Sequence, residues 1–278
     1  MTVRDAVIEA TDRLRAAGVQ TPYLDATVLL SFCMGVTKEH LFAEFLTPIG
    51  ETTLSNYRDT LEKRAAGVPV SYIRRQKEFY GRDFYVDERS LVPRPETETL
   101  IEVALEIIDE HGSGRVLDCC SGSGCIAVTL KAERPEPDIV ASELSEDARE
   151  VFRLNSRRIL GRELECITSD LLQDVEGGFD LIVSNPPYLR SEEVAQMRES
   201  GRPEPPEALD GGKDGLELIR RLIREALYSL NPYGYLVIEL DDDQNGCVRR
   251  LMEDHGYRKV GAREDLAGRR RVVFGRRA

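Results

Sequence analysis

Apolar positions in the first seventy residues recur at roughly helical spacing. Val7, Ala10, Leu14 and Val19 follow one another this way, the pattern of an amphipathic helix. Residues 22–34 (PYLDATVLLSFCM) form an apolar run with Pro22 placed for a first helical turn. Thr53 or Ser55 can open a further helix that runs to Arg64 and ends near Gly67. The pattern changes at residue 68. The stretch VPVSYIRRQKEFYGRDFYVDERSLVPRP alternates aromatic and polar residues around Gly81, which predicts a hairpin stopped by Pro93 and Pro95. Helical spacing returns from Glu96 to His111, with Leu100, Ile101, Ala104, Ile107 and Ile108 on one face.

From residue 114 onward short apolar runs alternate with helical stretches. The strands expected are 115–119, 138–143, 164–168, 179–184, 235–240 and 271–275, and the clearest helix is 214–230, where Leu216, Ile219, Leu222, Ile223, Leu227 and Leu230 repeat at three and four. Such alternation predicts an α/β doubly wound fold with a mainly parallel sheet. Residues 190–213, rich in proline and glycine, read as one long functional loop. The domain expectation is a helical bundle over 1–74, a hairpin linker over 75–95 and an α/β domain over 96–278. The helical bundle carries no glycine-rich loop and no catalytic pair, so it is expected to recognise a partner.

Composition narrows the function. Of 278 residues, 41% are hydrophobic and 32% charged, with a formal net charge of −12. That is the make-up of a globular protein with a sizeable core. Its acidity argues against a nucleic acid as the main partner. The six cysteines form no CxxC pair and only three histidines are present, so no metal site is expected. The cysteines read as small core residues in a reducing compartment. The first residues, MTVRDAVIEATDRL, carry acids and lack a long apolar core, and no apolar run reaches bilayer length. A cytoplasmic location without membrane attachment, as a monomer, is the expectation.

Two turns carry candidate chemistry. Asp118-Cys-Cys-Ser-Gly-Ser-Gly124 lies between an apolar strand and a helix, at the carboxyl edge where such sheets bind ligands. Gly122 and Gly124 let the backbone approach a ligand closely, and Glu143 at the end of the next strand can accept hydrogen bonds from ribose hydroxyls. This loop fits either a nicotinamide cofactor, with Ala127 in the last position of G-x-G-x-x-G/A, or S-adenosylmethionine. Val183-Ser-Asn-Pro-Pro-Tyr188 follows the fourth strand. Its prolines remove two N–H donors, so the Asn185 side-chain oxygen and the Pro186 carbonyl can accept the hydrogens of a flat –NH₂ group. Tyr188 offers an aromatic face. His40, His111, His255, the Arg269–Arg271 run and Asp241–Asp243 are read as surface or strand-end groups.

Asn185-Pro-Pro-Tyr188 resembles the motif of methyltransferases that act on planar amino groups of adenine, cytosine or glutamine. With LVPRPETETLIE (91–102), GVPVSYI (67–73), EPPEALDGGKDGLELIRRL (204–222) and DLAGRRRVV (265–273), the chain is similar to the release-factor glutamine methyltransferase family (PrmC/HemK) from about residue 20 to its end. The resemblance implies a helical N-terminal domain, a hairpin linker and a class I S-adenosylmethionine methyltransferase domain, Rossmann-like with a mainly parallel seven-stranded sheet. The implied reaction is methylation of the side-chain amide of the glutamine in the Gly-Gly-Gln motif of class I peptide chain release factors. It also implies cofactor binding by Asp118, Cys120, Ser121, Gly122, Ser123, Gly124, Glu143, Asp170, Leu171 and Asn185. Asn185, Pro186 and Tyr188 would be catalytic, and Asn185, Pro186, Pro187, Tyr188, Arg94 and Glu96 would hold the substrate. Three departures stand out: Asp118-Cys119-Cys120 where the family has Asp-Leu-Gly, Glu143 for the commoner aspartate, and Ile238-Glu-Leu-Asp-Asp-Asp-Gln244 for a shorter acid-glycine pattern. Competing readings are a glutamine methyltransferase of a ribosomal protein, an adenine N6-methyltransferase and a non-catalytic cofactor-binding protein.

Overall fold

The computed structural model describes residues 1–112, 114–199 and 203–278. The chain divides into two compact units, Met1–Gln76 with Met197–Pro203, and Lys77–Gln196 with Glu204–Ala278.

The first unit is helical, with α1 (Val3–Ala16), α2 (Pro22–Met34), α3 (Lys38–Ala43), α4 (Glu51–Ala65) and α5 (Val70–Arg74). A capping box between Thr2 and Asp5 opens α1, satisfying N–H groups that a helix start leaves free. Val3, Val7, Ala10 and Leu14 meet Ala26, Leu29 and Leu30 of α2, and Tyr57 and Leu61 of α4, in one apolar core. The periodicity expected for α1 and α2 is present, and Val19 lies just past the end of α1. Helix α4 begins at Glu51, earlier than Thr53, because Gly50 in extended conformation serves as its N-cap. A half-buried ion pair, Arg64 Nε to Asp25 Oδ2 at 2.7 Å, joins α4 to α2.

The second unit opens with the hairpin, β1 (Lys77–Phe79) and β2 (Arg82–Phe84), turned at Tyr80-Gly81. A 3₁₀ turn (Pro95–Thr97) leads into α6 (Glu98–His111). The remaining elements are β3 (Arg115–Cys119), α7 (Cys125–Glu133), β4 (Asp138–Glu143), α8 (Glu146–Leu160), β5 (Glu165–Thr168), β6 (Phe179–Ser184), α9 (Ser191–Glu199), α10 (Glu217–Ser229), β7 (Leu230–Glu239), α11 (Asn245–Asp254), β8 (Arg258–Arg263) and β9 (Val272–Arg276). Their sheet has seven strands in the order β5-β4-β3-β6-β7-β9-β8, parallel except for β9, which runs antiparallel to both its neighbours.

Alternation along the central strands fills two cores. Val116, Leu181, Val183, Tyr235 and Val237 face the side covered by α6 and α7, whereas Leu117, Cys119, Ile182, Leu236 and Ile238 face the side covered by α10 and α11. Burial on both faces is why these strands read as continuous apolar runs. Chain direction across the sheet reverses between β3 and β6: β4 and β5 extend one edge, and β6 returns to the other side of β3. A crevice opens at the carboxyl ends of strands at such a point.

Strand β7 starts at Leu230 rather than 235, so α10 ends at Ser229 and begins at Glu217 rather than 214, and two elements were missed. Strand β8 was absent from the sequence reading because RKVGAR is partly exposed at the sheet edge and has no apolar alternation. The stretch expected as one long loop over 190–213 holds α9 and a 3₁₀ turn at Pro206–Ala208, while 200–202 lie outside the described residues. Helix α9 is polar on most of its surface with Val194 buried, so it gave little periodic signal.

Candidate active site

The turn after β3 wraps the start of α7. Gly124 sits at φ 81° and caps that helix, and a Cβ there would lie 2.6 Å from the Phe152 ring. Gly122 is also left-handed, at φ 52°, but a Cβ there would meet no atom within 4 Å. Cys120, in the position where the resembled family carries glycine, adopts φ 61°, a conformation costly for a residue with a side chain. Glu143 at the end of β4 braces the turn: Gly122 N–H donates to its Oε2 at 2.8 Å and Ser145 N–H to its Oε1 at 2.9 Å.

A cavity of about 440 Å³ opens over this turn, within the ~300–1,000 Å³ usual for small-molecule sites. Cys120, Ser121, Gly122 and Ser123 form one wall, and Glu143, Asp170 and Leu171 continue it. Asp170 is held by Arg221, whose Nη2 lies 2.9 Å from Oδ2. Leu171 is left-handed at φ 55°, and its carbonyl accepts from the buried Ser142 hydroxyl. Arg94, Asn185 and Pro187 close the opposite side. Arg94 is anchored by Glu204, a side chain only 6% exposed, at 2.6 Å.

Five of the sequence-predicted residues lie off the cavity wall: Asp118, Gly124, Pro186, Tyr188 and Glu96. The reasons are local. Asp118 is wholly buried in β3 beneath the turn, and its Oδ2 accepts from Ala127 N–H at 3.0 Å. Burial, opposed by that bond and reinforced by the charge of Glu143, pushes its carboxyl up to about 8, and Oδ1 has no partner. Side chains of successive residues in an extended segment point to opposite sides, so those of Asn185 and Pro187 reach the cavity while the Pro186 ring and the Tyr188 side chain turn away. The Pro186 carbonyl accepts no backbone hydrogen bond among the described residues. Tyr188 packs against the α10–α11 core, where burial raises its phenol, and its carbonyl accepts from Gln244 Nε2 at 2.8 Å. Glu96 faces solvent on the 3₁₀ turn, and the next residue, Thr97, is the one that turns inward.

Three further side chains support the site: Thr97 and Glu239 lie in segments that the sequence singled out, without a role assigned to either, and Asn155 was missed. Asn155 on α8 is completely buried; its Nδ2 donates to the Tyr85 and Ser123 carbonyls, both at 2.9 Å, and its Oδ1 accepts from Tyr85 N–H at 2.7 Å. A polar residue one turn beyond Val151 on the buried face of α8 was the available signal. Thr97 receives Asn185 Nδ2 at 3.3 Å. Glu239, 1% exposed at the end of β7, stands beside both.

The doubly wound sheet, the glycine turn after β3, the acid after β4 and the Asn-Pro-Pro-Tyr segment at the switch point together define a methyltransferase. Residues 98–199 match the methyltransferase small domain, and residues 5–74 match the PrmC N-terminal domain. A methyltransferase from Pyrococcus furiosus has a similar fold, with a TM-score of 0.53 at 19% identity over 81% of this chain and 98% of that one. The chain is 37% identical, over 100% of its own length and 99% of the relative's, to the release factor glutamine methyltransferase of Deinococcus radiodurans. It is 38% identical, over 99% of both, to the one from Cereibacter sphaeroides. The chain belongs to the release factor glutamine methyltransferase family.

Proposed function

We propose that this protein transfers a methyl group from S-adenosylmethionine to the side-chain amide nitrogen of the glutamine in the Gly-Gly-Gln motif of class I release factors. The observation that carries the reading is Asn185: the first residue of Asn-Pro-Pro-Tyr lines the same cavity as the turn Cys120–Ser123. The residues present fit the cofactor. The space beside Gly122 is open, and each Glu143 oxygen accepts one backbone N–H, leaving further lone-pair capacity toward ribose hydroxyls. Asp170 and Leu171 flank the adenine in this reading. Asp118 acts from beneath, by holding the first turn of α7.

The bound cofactor supplies an activated methyl group on a sulfonium. An amide nitrogen is a poor nucleophile because its lone pair is delocalised into the carbonyl, so this chain's contribution is to align and polarise. Asn185 Oδ1 and the Pro186 carbonyl accept the two amide hydrogens and aim the nitrogen lone pair at the methyl carbon. Alignment of bound reactants contributes up to roughly 7–11 kcal/mol in model systems, and acceptors already in place need no reorganisation as positive charge grows on nitrogen. The proton displaced from nitrogen leaves through these acceptors or water, without a dedicated base. Arg94, steadied by Glu204, donates to the substrate from the opposite wall. Helices α1–α5 serve to recognise the release factor.

The test is to incubate the protein with S-adenosylmethionine and a class I release factor, then weigh the Gly-Gly-Gln peptide. One added methyl on that glutamine is expected. Asn185→Ala should lower turnover by roughly 10²–10³-fold while calorimetry finds cofactor affinity nearly unchanged. Methylation elsewhere, or unimpaired turnover in Asn185→Ala, would sink the reading.

A further inference from the structure

We propose that Thr97 and Glu239 form a positioning relay that dictates which end of the Asn185 carboxamide faces the cavity. The inference rests on the amide-clamp reading above and explains how this chain makes that clamp work. Turning an asparagine side chain end for end barely alters its shape but exchanges acceptor for donor. A clamp for an –NH₂ group requires the oxygen to face it. Something on the protein side must therefore exclude the flipped form.

Glu239 is placed to do so. Ser184 and Ile238 are partners across β6 and β7, which sets Asn185 and Glu239 side by side one residue further on. Glu239 continues the face of Tyr235 and Val237, under the 3₁₀ turn that carries Thr97. An ionised carboxylate only accepts hydrogen bonds. Glu239 is buried beside both Thr97 and Asn185, its Oε2 has no hydrogen-bond partner among the described residues, and Asn185 Nδ2 lies 3.3 Å from Thr97 Oγ1. The carboxylate admits only the NH₂ end of Asn185, and a Thr97 hydroxyl that gives its hydrogen to Glu239 has only lone pairs left for Asn185. In the relay Thr97 accepts from Asn185 and turns its own hydrogen to the unpartnered Oε2 of Glu239. The chain of donors thus runs from Asn185 through Thr97 to Glu239, and Asn185 Oδ1 is left for the cavity.

The relay depends on the charge of Glu239. Burial pushes its carboxyl up to about 7, against the downward pull of Thr97, Arg271 and Asn185 and with the upward push of Glu96. The ionisable groups around it are Glu96 on the 3₁₀ turn, Arg271 ahead of β9, Cys125 at the start of α7 and Tyr188 after β6. Burial raises the last two, so they stay neutral over the pH range in which Glu239 titrates, and Arg271 is shared with Asp241 at 2.9 Å. Once protonated, Glu239 can donate as well as accept, and the flipped Asn185 is no longer excluded.

Methyl transfer to a class I release factor would be measured for Thr97→Val, Thr97→Ser and Glu239→Gln beside Asn185→Ala, with cofactor affinity from calorimetry and Tm for each. Thr97→Val should lose roughly 10- to 100-fold in kcat with cofactor affinity and Tm near wild type, and Thr97→Ser should recover most of it. Wild-type kcat should fall as pH drops through about 7, and Glu239→Gln should be slower and lack that acid limb. Thr97→Val within about twofold of wild type, or an acid limb that persists in Glu239→Gln, would overturn the relay while leaving an inactive Asn185→Ala to support the clamp. Full turnover in Asn185→Ala would remove the clamp itself and the relay with it.

Discussion

Gly122 and Gly124, two residues apart, meet opposite constraints. Both adopt positive φ, so an alanine at either costs about 1–2 kcal/mol of backbone strain. At Gly124 the new Cβ also collides with Phe152, which is fully buried in the α6–α7 core. Gly124→Ala should therefore lose roughly 2–4 kcal/mol of stability in urea unfolding, strain plus overpacking. At Gly122 the Cβ enters open space on the cavity wall. Gly122→Ala should lose only the strain, yet weaken S-adenosylmethionine binding about tenfold or more, since roughly 1.4 kcal/mol of lost contact is enough. Equal stability losses in the two variants, with equal cofactor affinity, would contradict this division. Both glycines were legible as a ligand turn from spacing alone. That Gly124 serves a helix-to-helix contact and Gly122 the cavity was not, because Phe152 comes from α8, far along the chain.

Helix α8 connects the cofactor turn to the segment that follows the hairpin. Its amphipathic pattern supplies Val151 and Phe152 to the core, but Asn155 supplies the specific link, bonding Tyr85 twice and Ser123 once. Removing that side chain deletes two hydrogen bonds to the half-buried Tyr85 backbone and one to the buried Ser123 carbonyl, at ~0.5–1.5 kcal/mol each. Asn155→Ala should destabilise the protein by roughly 2–4 kcal/mol and loosen Ser123, so cofactor affinity should fall too. A change under about 0.5 kcal/mol in chemical denaturation, typical of an ordinary surface site, would show that water replaces the amide. At this scale the sequence predicted best where burial was two-sided. Strands β3, β4 and β6 began and ended where their apolar runs did, whereas β8 and α9 were invisible because their buried positions are few.

For the whole molecule, two buried acids set an unusual pH dependence. Asp118 and Glu239 shift from ordinary values of 3.8 and 4.5 up to about 8 and about 7. A raised carboxyl pKa means that the folded protein holds a proton which the unfolded chain has released. The stability these groups contribute is full below pH 4 and is lost as pH rises toward 8. Surface carboxylates such as Asp214 and Glu106, held low by Arg220 and Arg263, lose their favourable contribution only at still lower pH. Unfolding free energy should thus decline between about pH 5 and about pH 8, by on the order of several kcal/mol. Asp118→Asn should flatten that decline. A slope unchanged in a folded Asp118→Asn protein would place the effect elsewhere. Among the described residues no helix is long and apolar enough to cross a membrane, and the −12 charge leaves a predominantly acidic exterior.

The order of the strands and helices apart from β8 and α9, the two turns that carry chemistry and the family were determined by the sequence. These depend on short-range periodicity and on motifs contiguous in the chain. Tertiary structure alone decided which side chains of those motifs reach the cavity, because that depends on strand alternation and on where the chain doubles back. It turned Pro186 and Tyr188 aside, sank Asp118 beneath the turn and brought Thr97, Asn185 and Glu239 together from three separate segments. Contacts between residues distant in sequence leave no local pattern; their positions follow from the register of β6 on β7.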